Sequence, residues 1–409
     1  MTLTTARIAW RNLWRNRRRT GLALAAIGLS VALVLVYDSI LRAYGDWMTE
    51  TITGPMLGHV QGHAPGWRKD RAMDRTLRGV SGILEALRGD PEVTGAAARI
   101  YAPALAALGQ EGFAVLVVGL DPGAESRPMG LLAGVAEPPR GRRVLMGRPL
   151  AELMGVKEGD QVAIVGQGAD GSLANDLVTV TGLVNTSVDF VNRQGILMGL
   201  EETQDLFAMP DEAHEVVVQG KDPARAGALA ARLAALPSLR GVEVLDWKTL
   251  SPEMVGLLEF VEVAWVFVLA LILLAAAAGV ANTMLMATYE RTHEFGMLLA
   301  LGARPGGIVR MILTEAVVLG LTGALLGTAV GVGLVLATHR SGVDYAALTG
   351  TGPSELSFGG LRWSLRLFPT LTVVDVLRVG GAVLLTSLLA SAWPAARAAR
   401  LQPTQAMRE

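Results

Sequence analysis

No cysteine occurs in the 409 residues. Disulfides, Cys-ligated zinc and thiol catalysis are excluded together. Charge is scarce as well. Asp, Glu, Lys and Arg make up 18% of the chain against 51% hydrophobic residues, and the net charge is −1. Such a balance gives no electrostatic footprint for nucleic acid. Catalytic signatures are also missing. The one Gly-Lys pair, Gly220-Lys221, has no glycine at the required distance before it and is followed by Asp222, so there is no Walker A loop. HExxH, GxSxG and Rossmann fingerprints are absent. His59 and His63 stand four apart in HVQGH. On a helix they could share a metal, but Gly62 between them and a flanking proline argue against a helix. No catalytic, cofactor or metal site is expected in this chain.

What is abundant is apolar sequence. Mean hydropathy is +0.41, which places the chain in the membrane class. Four uncharged runs approach the ~20 residues that a span needs: 21–37 continuing through Leu41, 263–289, 316–338 and 379–396. Orientation follows from arginine. The first twenty residues hold Arg7, Arg11, Arg15, Arg17, Arg18 and Arg19 and no acid; the loop after the second run holds Arg291, Arg304 and Arg310; the tail holds Arg397, Arg400 and Arg408. The positive-inside rule makes these three regions cytoplasmic, with both termini inside. Residues 4–19 read as an amphipathic helix on the inner leaflet. Trp10, Leu13 and Trp14 form its apolar face, and Arg11 and Arg15 lie at the headgroups.

The expected organisation is a cytoplasmic N-terminal helix (1–20), a first span (21–41), an extracytoplasmic domain (42–256) and a stalk with a second span (257–289). A cytoplasmic loop (290–310), a third span (311–338), an external loop (339–375), a fourth span (376–397) and a cytoplasmic tail (398–409) follow. In the external domain, apolar residues from Leu77 to Leu87 share a helical stripe, FAVLVVGLDP and DLVTVTGLV read as strands, and Asp222 with Pro223 starts a helix. Alternating helices and strands predict a mixed α/β domain. The fold class is therefore membrane α-helical, with four transmembrane helices per chain and a mixed α/β extracytoplasmic domain.

Two motifs carry candidate function. Gly323, Gly327 and Gly331 recur at four-residue spacing in the third span, which lets another helix approach closely. ERTHEFGMLLALGARPGG, residues 290–307, is too polar to span and has helical spacing. Its apolar residues Phe295, Met297, Leu298 and Leu301 are candidate anchors for a groove on a cytoplasmic partner, with His293, Glu294 and Arg304 as a polar rim.

These residues match a family. The stretch from Glu290 to Gly327 resembles the cytoplasmic loop and third span of FtsX-like ABC transporter permeases, the MacB-like or type VII group. Arg291, Glu294, Phe295, Gly296, Ala300, Leu301, Gly302 and Glu315 meet that pattern. The tail is similar through Pro394, Ala395, Ala398, Pro403, Ala406, Met407 and Arg408. VVGLDP, GRPLAELMGVKEGDQV and VTGLV resemble the MacB-type periplasmic core, and GHVQGHAPGW resembles the lipoprotein-releasing LolC/LolE branch.

The resemblance implies a non-catalytic permease of the bacterial inner membrane. It implies pairing with a second permease, identical or related, and docking on separate ABC ATPase subunits that bind ATP and Mg. Residues 291–304 would be the coupling helix. The external partner would be a periplasmic carrier, an adaptor or a hydrolase. Three tasks stay open: extraction of lipoproteins or other lipid-linked cargo, MacB-like efflux of a small molecule or peptide, and FtsX-like transmission of force to an external hydrolase.

The topology is directly testable, because no native thiol interferes. In cells with an intact inner membrane, an impermeant maleimide should label Asp170→Cys and spare Arg304→Cys. The reverse pattern overturns the orientation.

Overall fold

The computed structural model describes residue 11 and residues 17–127, 130–344, 356–358, 361–363 and 366–400. Of the N-terminal amphipathic stretch, Arg11 is helical and exposed; Trp10, Leu13, Trp14 and Arg15 lie outside the described residues, as do Pro403, Ala406, Met407 and Arg408. Two compact units divide the chain. Met1–Gly45, Leu258–Leu348 and Arg366–Glu409 form a helical unit, and Asp46–Leu257 with Thr349–Leu365 form a sheet unit.

The helical unit is built on α1 (Arg17–Ile52), α2 (Pro252–Glu290), the short α3 (Thr292–Ala300), α4 (Pro305–Ser341) and α5 (Val373–Ala399). Four of these, α3 excepted, are long and apolar enough to cross a membrane. Their ends are set by local chemistry. Thr372 and Asp375 make a capping box at the start of α5, each side chain taking the other's backbone N–H. Pro305 opens α4, where its missing N–H costs nothing.

Glycine lets α1 and α4 touch backbone to backbone. A Cβ on Gly327 would lie 2.3 Å from the Gly28 carbonyl oxygen and 2.7 Å from Val31 Cβ. On Gly323 it would meet Ile27 at 2.6 Å, and on Gly331 it would stand 3.1 Å from Leu35. The same face of α4 continues at Gly320, where the Ser387 hydroxyl of α5 is 2.9 Å from the Cβ position. Ile27, Val31 and Leu35 are fully buried beside these glycines. Charge is confined to the ends of the bundle. Arg19 pairs with Glu290 at 2.7 Å, and Arg42 with the buried Asp375.

Nine strands form the main sheet: β1 (Val60–His63), β2 (Val93–Leu108), β3 (Glu111–Leu120), β4 (Arg143–Gly147), β5 (Gln161–Gln167), β6 (Leu173–Val184), β7 (Gly195–Gly199), β8 (Glu215–Gly220) and β9 (Glu243–Asp246). The order is β9-β1-β8-β2-β3-β7-β4-β6-β5, and β5 pairs again with β2. Six strands, β2 to β7, therefore close into a ring, while β8, β1 and β9 continue from β2 as an open wing. Closure removes the free edges that an open sheet would leave to pair with other chains. The two expected strands are β3 and β6. The helix expected from Leu77 begins at Val80 instead; Leu77 pairs with Ala213 in a two-residue strand, and Gly79, at φ 69°, turns the chain into the helix. Asp222 caps a 3-10 turn, Pro223–Arg225, that leads into the helix Ala226–Ala234.

Gly327→Leu should therefore prevent α1 and α4 from closing. Ordinary overpacking costs ~1–3 kcal/mol, and here the obstacle is backbone that cannot rotate away. A clear drop in the unfolding temperature is expected. Gly333→Leu, where a Cβ meets nothing within 4 Å, should leave it unchanged. Equal stability of the two variants would overturn the packing argument.

Candidate functional site: the helix between the second and third long helices

Helix α3 is nine residues long, and its apolar side chains divide into two sets. Phe295 is 0% exposed. It packs with Ile308 and Ile312 of α4 and with Ala395 and Ala398 of α5. The guanidinium of Arg291 stands 5.0 Å from the Phe295 ring centroid, a cation–π contact. Met297 and Leu298 are 43% and 41% exposed, and Leu301 is 85% exposed. Phe295 as a partner anchor is corrected by this geometry. Its ring fills a socket made by its own chain, so no partner can reach it. Gly296 is buried beside it.

Polar contacts fix the same seat. Arg291 Nη1 donates to Glu315 Oε1 of α4 at 2.7 Å, and its Nε donates to Glu294 Oε2 at 3.0 Å. Burial alone would lower the affinity of Arg291 for its proton; the two carboxylates more than offset this and hold it above its ordinary value. Glu294 thus works inward, as part of the seat. His293 and Arg304 are exposed. Helix α3 ends in a Schellman motif: Ala303 N–H donates to the Leu298 carbonyl, Gly302 N–H donates to the Leu299 carbonyl, and Gly302 has φ 87°. That left-handed position suits glycine. The exit aims Leu301 outward, and α4 begins at Pro305, directly after residues 301–304. The arrangement offers a rigid, mostly apolar knob made of Met297, Leu298 and Leu301.

The other candidates named from the sequence lie elsewhere. Gly323, Gly327 and Gly331 face α1. His59 and His63 are beside and on strand β1, and each ring has a protein partner: His59 Nδ1 accepts from Gly220 N–H at 2.9 Å, and His63 Nε2 is 3.0 Å from Gln61 Oε1. Sequence reasoning missed Gly28, which stands between Ile27 and Leu29 in the first span, seven residues after Gly21. It also missed Trp67, Arg99 and Glu215, buried in the sheet unit, the last two with ion-pair partners distant in sequence.

A family model described as the MacB-like periplasmic core domain matches residues 20–236, and one described as the FtsX-like permease C-terminal region matches residues 266–403. The chain belongs to this permease family. It is an ABC transporter permease of the LolC/LolE and MacB type. The lipoprotein-releasing system transmembrane protein LolE of Haemophilus influenzae is 24% identical over 419 residues, 98% of each chain. The corresponding LolC of Neisseria meningitidis serogroup B is 25% identical over 270 residues, 65% of this chain and 64% of that one. The macrolide export ATP-binding/permease protein MacB of Sodalis glossinidius is 36% identical over 138 residues, 33% of this chain but only 18% of its own length.

The split face of α3 in this permease predicts unequal mutants. Phe295→Ala empties a closed socket and should cost ~3–5 kcal/mol. Leu301→Ala at an exposed position should fall within ~0.5 kcal/mol of the parent. Thermal unfolding of the chain in nanodiscs checks both. A destabilised Leu301→Ala beside a neutral Phe295→Ala would invert the assignment.

Proposed function

We propose that this chain is the transmembrane subunit of a transporter whose ATPase is a separate chain, and that it extracts lipoproteins or other lipid-linked cargo from the bacterial inner membrane. The observation that carries the coupling part is the seat of α3. Phe295 and Arg291 bind it to α4 and α5, while Met297, Leu298 and Leu301 are left without cover. A fixed helix with an apolar knob fits a groove on a partner. It takes up the partner's motion without absorbing it. His293 and Arg304, both exposed, supply a polar rim. ATP and Mg belong to the partner, and this chain holds no catalytic residue in this reading. Both termini and α3 lie in the cytoplasm. The sheet unit works outside on the cargo or on its carrier, and a second permease, identical or related, completes the membrane part. The end-to-end alignment with LolE supports lipid-linked cargo. The similarity to MacB, higher in identity though confined to 138 residues, supports the rival reading of small-molecule or peptide efflux.

Anchors of this kind contribute on the order of 2 kcal/mol each, about thirtyfold in Kd. Leu298→Ala and Leu301→Ala should each weaken docking of the cognate ATPase to that extent in a binding titration, with the chain still folded. Unchanged docking in the double variant would end the coupling role of α3. Cargo is decided separately. Purified with its ATPase and treated with ATP in proteoliposomes, the complex should release a lipid-modified protein detectable by mass spectrometry. ATP-driven loss of a small solute with no lipid-modified protein would favour efflux.

A further inference from the structure

The sheet unit contains a cavity of about 340 Å³, within the range of small-molecule sites, that the transport reading leaves unused. Its walls are apolar: Met56 and Leu57 from the turn after α1, Pro103 and Leu116 from β2 and β3, and Phe190. Its lining also includes the polar groups of Gln61, Tyr101 and Glu215 and the indole of Trp67. Two arginines, Arg68 and Arg71, complete the lining.

Three observations single this cavity out. First, Trp67 is 1% exposed, and its Nε1–H has no hydrogen-bond partner; the Nδ1 of His63, stacked 5.4 Å from the Trp67 ring, has none either. A buried donor left unpaired costs ~1–3 kcal/mol, and such a cost calls for a reason. Second, Arg71 sits at φ 51°, a left-handed backbone that is sparsely populated for residues other than glycine. This backbone closes the short helix Trp67–Asp70, with Arg71 N–H donating to the Trp67 carbonyl. Here it holds the guanidinium 4.3 Å above the Trp67 ring, and among the described residues that guanidinium makes no hydrogen bond. Arg68 spends one donor, Nη2, on the Leu250 carbonyl. Third, the local charge is lopsided. Glu215 is engaged by Tyr101 Oη at 2.7 Å, by Arg99 Nη1 at 3.6 Å and by His63 Nε2 at 3.8 Å. Burial alone would raise its proton affinity, but these neighbours hold it below the usual carboxylate range. The carboxylate is therefore balanced from inside, and the two arginines of the lining, Arg71 exposed and Arg68 half-buried, carry no carboxylate partner among the described residues.

We propose that this cavity binds a small anionic amphiphile, its anionic group held by Arg71 and Arg68 and its apolar body lodged against Met56, Leu57, Leu116 and Phe190. A cation would meet two guanidinium groups, and a fully polar anion would leave the walls unfilled. Two of the wall residues, Met56 and Leu57, belong to the π turn in which the first long helix ends. Occupancy bears on the residues that leave that helix.

The test uses the full chain in nanodiscs and a decanoate carrying a photoreactive diazirine, with crosslinks mapped by mass spectrometry. Crosslinks should fall on residues 56–71 and around 190, compete with unlabelled decanoate, and be at least tenfold weaker with the matching decylamine probe. Arg71→Gly removes the guanidinium and relieves the backbone. It should keep the unfolding temperature within a few degrees and cut crosslinking at least fivefold. Phe190→Asp, which puts a carboxylate into the apolar lining, should do the same to crosslinking. Crosslinks confined to the long apolar helices, equal labelling by the amine, or full labelling of both folded variants would each overturn the assignment.

Discussion

A helix that ends inside a protein leaves four carbonyls without partners, and the sheet unit is organised around the end of α1. Pro55, which lacks an N–H, interrupts the α pattern, and the chain widens into a π turn over Thr53–Leu57. The carbonyls freed there find side-chain donors. Gln219 Nε2 on β8 serves Thr53 at 2.8 Å and Gly54 at 3.3 Å. Arg99 on β2 serves Pro55 through Nη2 at 3.0 Å and Met56 through Nη1 at 2.8 Å. Arg99 is 1% exposed. An isolated guanidinium could not survive such burial, so Glu125 is drawn to its Nε at 2.7 Å and Glu215 to its other side. Side chains from β8 and β2, the buried acids and the lining of the cavity beside Trp67 all meet at this one helix end.

The helical unit meets the opposite constraint. Its helices carry few polar groups, so contact depends on how closely backbones approach. Gly28 against Gly327 gives the tightest crossing, and Ile27, Val31 and Leu35 fill the space on either side. Apolar surfaces gain little from each other where lipid is equally apolar. Close backbone contact and ion pairs at the two ends hold the helices together instead. The second long helix is the exception, with only 11% of its most apolar window buried. Phe260, Val263, Phe267 and Leu274 are more than 60% exposed along it. Lipid or another permease copy has to cover that surface.

The four spans, the α/β character of the external region and the existence of α3 were legible because each has a local signature. A long uncharged run has few alternatives, and an interrupted polar stretch between two such runs must turn back. The inward face of α3 was not legible. Phe295, Met297, Leu298 and Leu301 share helical spacing, and nothing in that short stretch says which one is buried. That decision belongs to Ala395 and Ala398, far along the chain, whose small side chains leave room for a ring. Leu77 was misplaced because a helical stripe extended through it, while the left-handed Gly79 already ended the pattern. Arg99 was hidden for a related reason: a lone arginine in an alanine-rich strand looks like a solvated charge until the acids that neutralise it are seen in space.

The seat of α3 has a mechanical consequence that its sequence alone does not convey. A short helix on a flexible loop would swing under load and pass on little. Here the joint between α3 and α4 is only residues 301–304, and its first residues are locked by the Schellman hydrogen bonds. The far end of α3 is held by Arg291, which bridges to Glu315 on α4. Between these two fixings, Phe295 reaches both α4 and α5. Three attachments of different chemistry, covalent, ionic and apolar, tie the helix to α4 and α5. In the proposed coupling role, a push on Leu301 would reach α4 through Glu315, Ile308 and Ile312 and α5 through Ala395 and Ala398. In that role α1 would be the next element along, since no side chain lies between Gly327 and Gly28 to yield first.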